Sequence, residues 1–368
     1  MSEAIPFYDL AAEHAELRPV LDAAYARVMD NGWWILGPEL HAFEGEFAEL
    51  CGTRHALGVG NGLDALALAL RALEVGPGDE VIVPAHTFVA TWLAILAVGA
   101  TPVACEPAPG SCNISAEMVA PLVTPRTRAV IAVHLYGHPA DPAGLAALCA
   151  RHGLALIEDA AQAHGATTGG QPMGSFGAIG CFSLYPTKNL GALGDGGAVV
   201  TQDAGLAEKL SLLRNYGARK KYHTDMIGTN SRLDELQAAF LRAKLAVYPR
   251  TLARRRDVAA AYLDRLRGVN GLTLPATPEG DDPAWHLFVI RSEGRDALRG
   301  HLAARGIATG LHYPVPIYRN APFASHAPAG QTESDRLSAS VLSLPFWPSL
   351  DEARIDRVAG SIREFLGG

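Results

Sequence analysis

Short continuous apolar runs alternate with amphipathic stretches through the first two thirds of the chain. Glu80-Val81-Ile82-Val83-Pro84 predicts a strand closed by a proline, which has no N–H to carry a ladder further. Residues 87–98 predict a helix, 101–105 a strand and 129–133 another strand. Residues 142–151 predict a helix with Asp141 as its N-cap and Pro142 at its first position. Residues 154–158 predict a further strand. Strands that are apolar throughout, separated by helices, imply a mostly parallel sheet covered on both faces. Beyond about residue 245 the texture changes. An Arg-rich helical pattern at 252–267, a strand at 285–290 and helices at 295–305 and 352–366 predict a smaller α+β unit. A connecting helix is expected from 233 to 247 or beyond. The chain therefore reads as α/β, with a large domain at 1–247 and a small C-terminal domain at 248–368.

Composition supports a packed globular protein: 49% of the residues are hydrophobic and 19% charged. A net charge of −7 argues against a general nucleic-acid binder. Five cysteines, with no C-x-x-C pair, read as free thiols of a reducing compartment and not as a disulfide frame or a zinc site, so no metal is expected. The N-terminus lacks a basic and then apolar leader, and no apolar run is long enough to span a bilayer. The expected location is the cytoplasm, without a membrane partner.

The chemistry concentrates in the middle. Lys188 sits in Ser183-Leu184-Tyr185-Pro186-Thr187-Lys188-Asn189-Leu190-Gly191, a loop too rich in Gly and Pro for a helix. A lone loop lysine is usually solvated. Upstream, however, Ile157-Glu158-Asp159-Ala160-Ala161-Gln162-Ala163-His164-Gly165 is an apolar strand that ends in carboxylates. A lysine able to form an imine, with a carboxylate able to hold a pyridinium nitrogen, is the minimal equipment of pyridoxal phosphate (PLP) chemistry. Gly58-Val59-Gly60-Asn61-Gly62-Leu63 ends a strand where a helix opens. It is either a tight loop or an anion cradle for one phosphate. A dinucleotide fingerprint fails, because its third glycine would fall at Leu63. Phe88 is either a core aromatic or a ring that stacks on a cofactor. The basic run from Arg214 to His223 is either a solvated face or a contact for a diphosphate and a base. His312-Tyr313-Pro314-Val315-Pro316 is either a substrate wall or an ordinary connection.

Taken together, these residues resemble the DegT/DnrJ/EryC1/StrS sugar aminotransferases, a fold-type-I PLP group. The likeness runs from Trp33-Trp34-Ile35-Leu36-Gly37-Pro38 to the last helix, and rests most on the motifs around Asp159 and Lys188. The resemblance implies that Lys188 carries PLP. It also implies that Asp159 pairs with the pyridine nitrogen, Gln162 lies at the ring hydroxyl and Phe88 stacks on the ring. Ser183 and the backbone of Gly62 and Leu63 would hold the phosphate, and Asn230 would reach the phosphate of a neighbouring subunit, so a homodimer with shared sites is expected. Many family members carry a hydroxyl residue where this chain has Leu63, so any contact there must come from the backbone. A dehydratase branch replaces the lysine with histidine. This chain keeps Lys188, which favours transamination.

Four stretches look like the branch that aminates C3 of nucleotide-linked 3-keto-6-deoxyhexoses: 61–66, 90–94, 134–141 and 312–316. The expected substrates are L-glutamate and a dTDP-sugar, with Lys220, Tyr222, His312 and Tyr313 as contacts. Such amino sugars serve deoxyamino-sugar biosynthesis and bacterial surface glycans. C4 amination, other PLP chemistry, and a PLP-binding regulator without turnover are the alternatives.

Overall fold

The computed structural model describes residues 3–220, 222–328, 330 and 332–367. Lys221, part of the basic run, lies outside the described residues. Seven strands form one sheet: β1 (His55–Val59), β2 (Glu80–Pro84), β3 (Thr101–Cys105), β4 (Thr127–Val133), β5 (Ala155–Asp159), β6 (Ile179–Ser183) and β7 (Gly197–Thr201). Their order across the sheet is β1-β7-β6-β5-β4-β2-β3. The neighbouring pairs from β6 to β3 are parallel, and only β7 runs against its neighbours.

Alternation along the strands divides the core, because successive side chains leave opposite faces. Val81, Val83, Ile131 and Ile157 pack under the helices Gly62–Ala72 and Val89–Ala97 through Leu66, Leu70, Trp92 and Ile95. Ile82, Val130 and Leu156 pack on the other face against Leu145 and Leu148 of the helix Pro142–His152. Each such side chain, once buried, contributes about 1.5–3 kcal/mol. Both faces are thus covered, and the carboxyl ends of β2, β4, β5 and β6 are where a doubly covered parallel sheet leaves room for ligands.

A second core gathers Tyr262, Phe288, Ile290, Leu298, Leu342 and Ile355. It is built on an antiparallel pair, β8 (Phe288–Arg291) with β9 (Val341–Leu344), and the helices Tyr248–Leu266, Arg295–Ala304 and Glu352–Leu366. Ile5 also belongs to it: its N–H donates to Gly306 at 2.8 Å, and its carbonyl accepts from Ala308 at 3.0 Å.

Three of the boundaries that differ from expectation have a local cause. The connecting helix does not run on through 247: one helix spans Glu235–Leu245 and another Tyr248–Leu266, with Pro249 in the first turn of the second. Proline has no N–H to continue the earlier ladder, so it starts a helix instead. The helix expected from 87 starts at Val89, with Phe88 as an extended N-cap. The strand expected from 285 starts at Phe288, because the N–H groups of Ala284 and His286 donate to Gly137 and Tyr136.

The entry to the helix Pro38–Leu50 is held from a distance. Buried Glu235 accepts hydrogen bonds from the N–H groups of Gly37 at 2.7 Å, Glu39 at 2.9 Å and Leu40 at 3.0 Å. These are donors that a helix start leaves unpaired. Among the described residues, no helix is long and apolar enough to cross a membrane.

Candidate active site

A cavity of about 500 Å³ opens at the carboxyl ends of the parallel strands. Asp159, the last residue of β5, lines it. Register places Asp159 beside Val133 of β4 and Cys181 of β6, in the middle of the sheet. Thr91 donates to one of its carboxylate oxygens at 3.0 Å, and the N–H of Ala161 to the other at 3.3 Å. Burial pushes the carboxyl above its usual range, and these two bonds only partly oppose that. Lys188 lines the same cavity and makes no hydrogen bond or ion pair through its amine among the described residues. Burial lowers this amine to about 8, against the pull of Asp159.

The start of a helix lines the same cavity. The helix Gly62–Ala72 begins there, with Asn61 accepting the Asp64 N–H at 2.8 Å. The N–H groups of Gly62 and Leu63 have no acceptor among the described residues, as expected for a first turn. A Cβ on Gly62 would stand 2.7 Å from that of Ser183, so this approach needs glycine. Ser183 closes β6 and also lines the cavity.

The remaining wall is aromatic. The rings of Phe88 and Tyr313 lie 5.7 Å apart. Gln162 accepts the Tyr136 N–H at 2.5 Å and donates to the Tyr313 hydroxyl at 3.3 Å, which fixes the sense of its amide. The Tyr136 hydroxyl donates to the His312 carbonyl, so at 3.0 Å it accepts from Nε2–H of His86. Burial keeps His86 and His312 neutral, each lowered to about 4. The second core thus reaches over the sheet, carrying His312 and Tyr313 to the cavity.

The structure brings Gly62, Leu63, Phe88, Asp159, Gln162, Ser183, Lys188, His312 and Tyr313 into this one cavity. It does not bring in Lys220, Tyr222 or Asn230. Lys220 and Tyr222 lie at an exposed hairpin made by Ala218–Lys220 and His223–Thr224, and Asn230 is exposed beside Asn215. His164, although in the Asp159 motif, packs against Phe47 and Phe182, and burial lowers it to about 3.

Two residues were missed by sequence reading. Thr91 holds Asp159, and its signals are its place one turn after Phe88 and within the stretch 90–94, neither of which points to a carboxylate. His286 lines the cavity; its Nδ1–H donates at 3.0 Å to Asn189, the neighbour of Lys188. Nothing local to residue 286 announces that contact.

This donor set fits PLP. It offers a cradle of backbone N–H groups for one phosphate, an unpaired amine of lowered basicity, and a buried carboxylate short of donors.

Comparison with known proteins agrees. A model of the DegT/DnrJ/EryC1/StrS aminotransferase family matches residues 17–363. The chain is 53% identical over 363 residues to dTDP-3-amino-3,4,6-trideoxy-alpha-D-glucose transaminase of Streptomyces venezuelae, covering 98% of this chain and 96% of that one. It is 47% identical over 365 residues to UDP-N-acetyl-3-dehydro-alpha-D-glucosamine 3-aminotransferase of Acidithiobacillus ferrooxidans, covering 99% of each. A crystal structure of S. venezuelae DesV superposes with a TM-score of 0.97 at 52% identity, over 100% of both chains.

Proposed function

The chain belongs to the DegT/DnrJ/EryC1/StrS aminotransferase family, and on that premise we propose that it transfers the amino group of L-glutamate to C3 of a dTDP-linked 3-keto-6-deoxyhexose in the cytoplasm. It is a PLP-dependent enzyme of the nucleotide-sugar transaminase class. The observation that carries the reading is that Lys188 and Asp159 line one cavity together with the start of the helix Gly62–Ala72. C3 is supported by relatives named for 3-amino and 3-dehydro sugars.

PLP, when bound, supplies a carbonyl that takes up amines and a ring that draws electrons. In our reading the N–H groups of Gly62 and Leu63 and the Ser183 hydroxyl hold its phosphate. Asp159, kept in place by Thr91, holds a proton on the ring nitrogen. Gln162 fixes the hydroxyl side, and Phe88 with Tyr313 excludes water. Lys188 Nζ takes the proton from the donor's Cα and would deliver it to the cofactor, a role suited to an amine near 8. In the second half-reaction the same amine works in reverse on the sugar carbon. The nucleotide supplies binding energy remote from that carbon.

Lys220, Tyr222 and Asn230 stand outside their own chain's cavity, so we assign them to the site of a second copy. Exposed Val20, Tyr25, Met29, Trp33 and Trp34 support such a partner surface. Purified enzyme is given L-glutamate with C3-keto and C4-keto hexoses on dTDP and on UDP, and the product is read by NMR. A 3-amino dTDP-sugar is expected. A 4-amino product, or a faster UDP reaction, would overturn the branch but not the class. Mixed subunits test the shared site: Lys188→Ala and Asn230→Ala proteins, each inactive alone, should regain activity when reassembled together.

A further inference from the structure

A second cavity, of about 270 Å³, lies between the two cores. Pro109, Cys112 and His138 line it from the sheet side, and Pro275, Pro278 and Arg291 from the other. It holds none of the residues proposed for the transamination site; the two cavities share only Leu135.

Its walls are largely apolar, Asn113 spends its amide on the backbone of Leu135, His138 and Pro139, and two polar side chains, Arg291 and His138, are left unspent. The Arg291 guanidinium makes no hydrogen bond or ion pair among the described residues. Its base is fixed, because Arg291 closes β8 and exchanges two 2.9 Å backbone bonds with Thr273. Glu333, which borders the neighbouring groove with Arg291, pairs with Arg336 at 2.9 Å instead. The His138 ring is held edge-on against Trp285 at 4.5 Å, and its nitrogens have no partner among the described residues. Burial keeps this imidazole neutral, lowered to about 4, and pushes the Cys112 thiol up to about 11. One permanent cation therefore faces a largely apolar space beside neutral polar groups. Half-buried polar groups left without partners are the mark of a ligand site, and a planar guanidinium selects a carboxylate.

We propose that this cavity is a second ligand site, which takes a small organic carboxylate with its charge on Arg291 and its apolar body between the prolines. The volume sits just below the range of about 300–1,000 Å³ for drug-sized ligands, so the ligand is smaller than that class.

Benzoate is the probe. It is titrated calorimetrically into the PLP-loaded full chain, with neutral benzamide as its isostere, and located by crystallography of the soaked holoenzyme. Saturable binding at one site per chain is expected, with benzamide and the Arg291→Met protein both weaker by about tenfold or more, as for lost bonds to a charged group. Arg291→Lys, which keeps the charge but not the planar fork, should bind more tightly than Arg291→Met and more weakly than the native chain, and Ala276→Trp, which narrows the cavity, should abolish binding. Absence of saturable binding, equal affinity for benzamide, equal affinity of Arg291→Met, or benzoate found only beside Lys188 would each overturn the proposal. The Lys and Trp variants keep it open to refutation if Arg291→Met does not fold.

Discussion

Glu158 and Asp159 are consecutive acids at the end of one strand, and the protein treats them in opposite ways. They leave opposite faces of the sheet. Glu158 is fully buried and accepts four hydrogen bonds: from Nε2 of His134 at 2.9 Å and from the N–H groups of Gly174 at 2.8 Å, Phe176 at 2.7 Å and Gly177 at 2.7 Å. Nδ1 of His134 accepts the Ala140 N–H, so its proton is on Nε2. Burial alone would raise Glu158, but these donors bring it below the usual range. Asp159 has two donors, and burial leaves it raised. A saturated carboxylate has no capacity left and serves the fold. An unsaturated one is held ready for a group that the chain itself does not supply.

The comparison can be broken or sharpened by substitution. The largest effect is expected at the group opposite Asp159: Lys188→Ala should lose about 10⁴-fold in turnover, the upper range for removal of an acid–base group. Steady multiple turnover of that protein with sugar and glutamate would remove Lys188 from the mechanism. Asp159→Asn should lose about 10²–10³-fold in kcat, as for one preorganised electrostatic group, while its melting temperature stays within a few degrees. A large loss of stability instead would make Asp159 a structural acid like its neighbour.

Glu158→Gln should show the converse, losing about 3 kcal/mol or more in denaturant unfolding with little change in kcat of the folded fraction. The sign follows from linkage. A carboxylate lowered in the fold contributes stability above its unfolded value, and that stability disappears as pH falls through the folded value. The acid limb of the native stability curve should therefore flatten in Glu158→Gln. Asp159, raised in the fold, opposes folding at neutral pH, and that opposition is relieved as pH falls.

Thr91→Val removes one hydrogen bond to a charged group and should lower kcat by about tenfold. Unchanged kinetics would show that Asp159 needs no help in holding its place. The smallest effect is on pH dependence. Uptake of PLP by the apoprotein, followed by absorbance, should accelerate with a midpoint near 8 as Lys188 loses its proton. In Asp159→Asn the midpoint should fall, because the charge that raises the amine is gone. A midpoint unmoved by that change would show that the two groups do not sense each other.

Much of this was legible along the chain because chemistry was written in adjacent residues. Asp159 ends an apolar run, Lys188 sits among Gly and Pro, and Gly62 stands where a strand meets a helix. What stayed hidden depends on partners far away in sequence. The Thr91 hydroxyl matters only because Asp159 comes within 3.0 Å of it. Residues 285–287 read as strand by composition, but Trp285 takes a positive φ of 47° and the segment bonds across to Tyr136 instead. Alternation cannot tell a strand from an extended segment tied to a distant part of the chain. His286 reaches the cavity through that same departure.

One feature of the fold also has a meaning in time. The first turn of the helix Pro38–Leu50 is completed by Glu235, 198 residues after Gly37. At synthesis rates of about 5–20 residues per second, that helix waits roughly 10–40 s on the ribosome for its cap. Until then the apolar face formed by Leu40, Phe43 and Phe47 has no finished entry to pack behind. The nascent chain therefore keeps this early segment open until Glu235 is made, and that non-local closure falls late in folding.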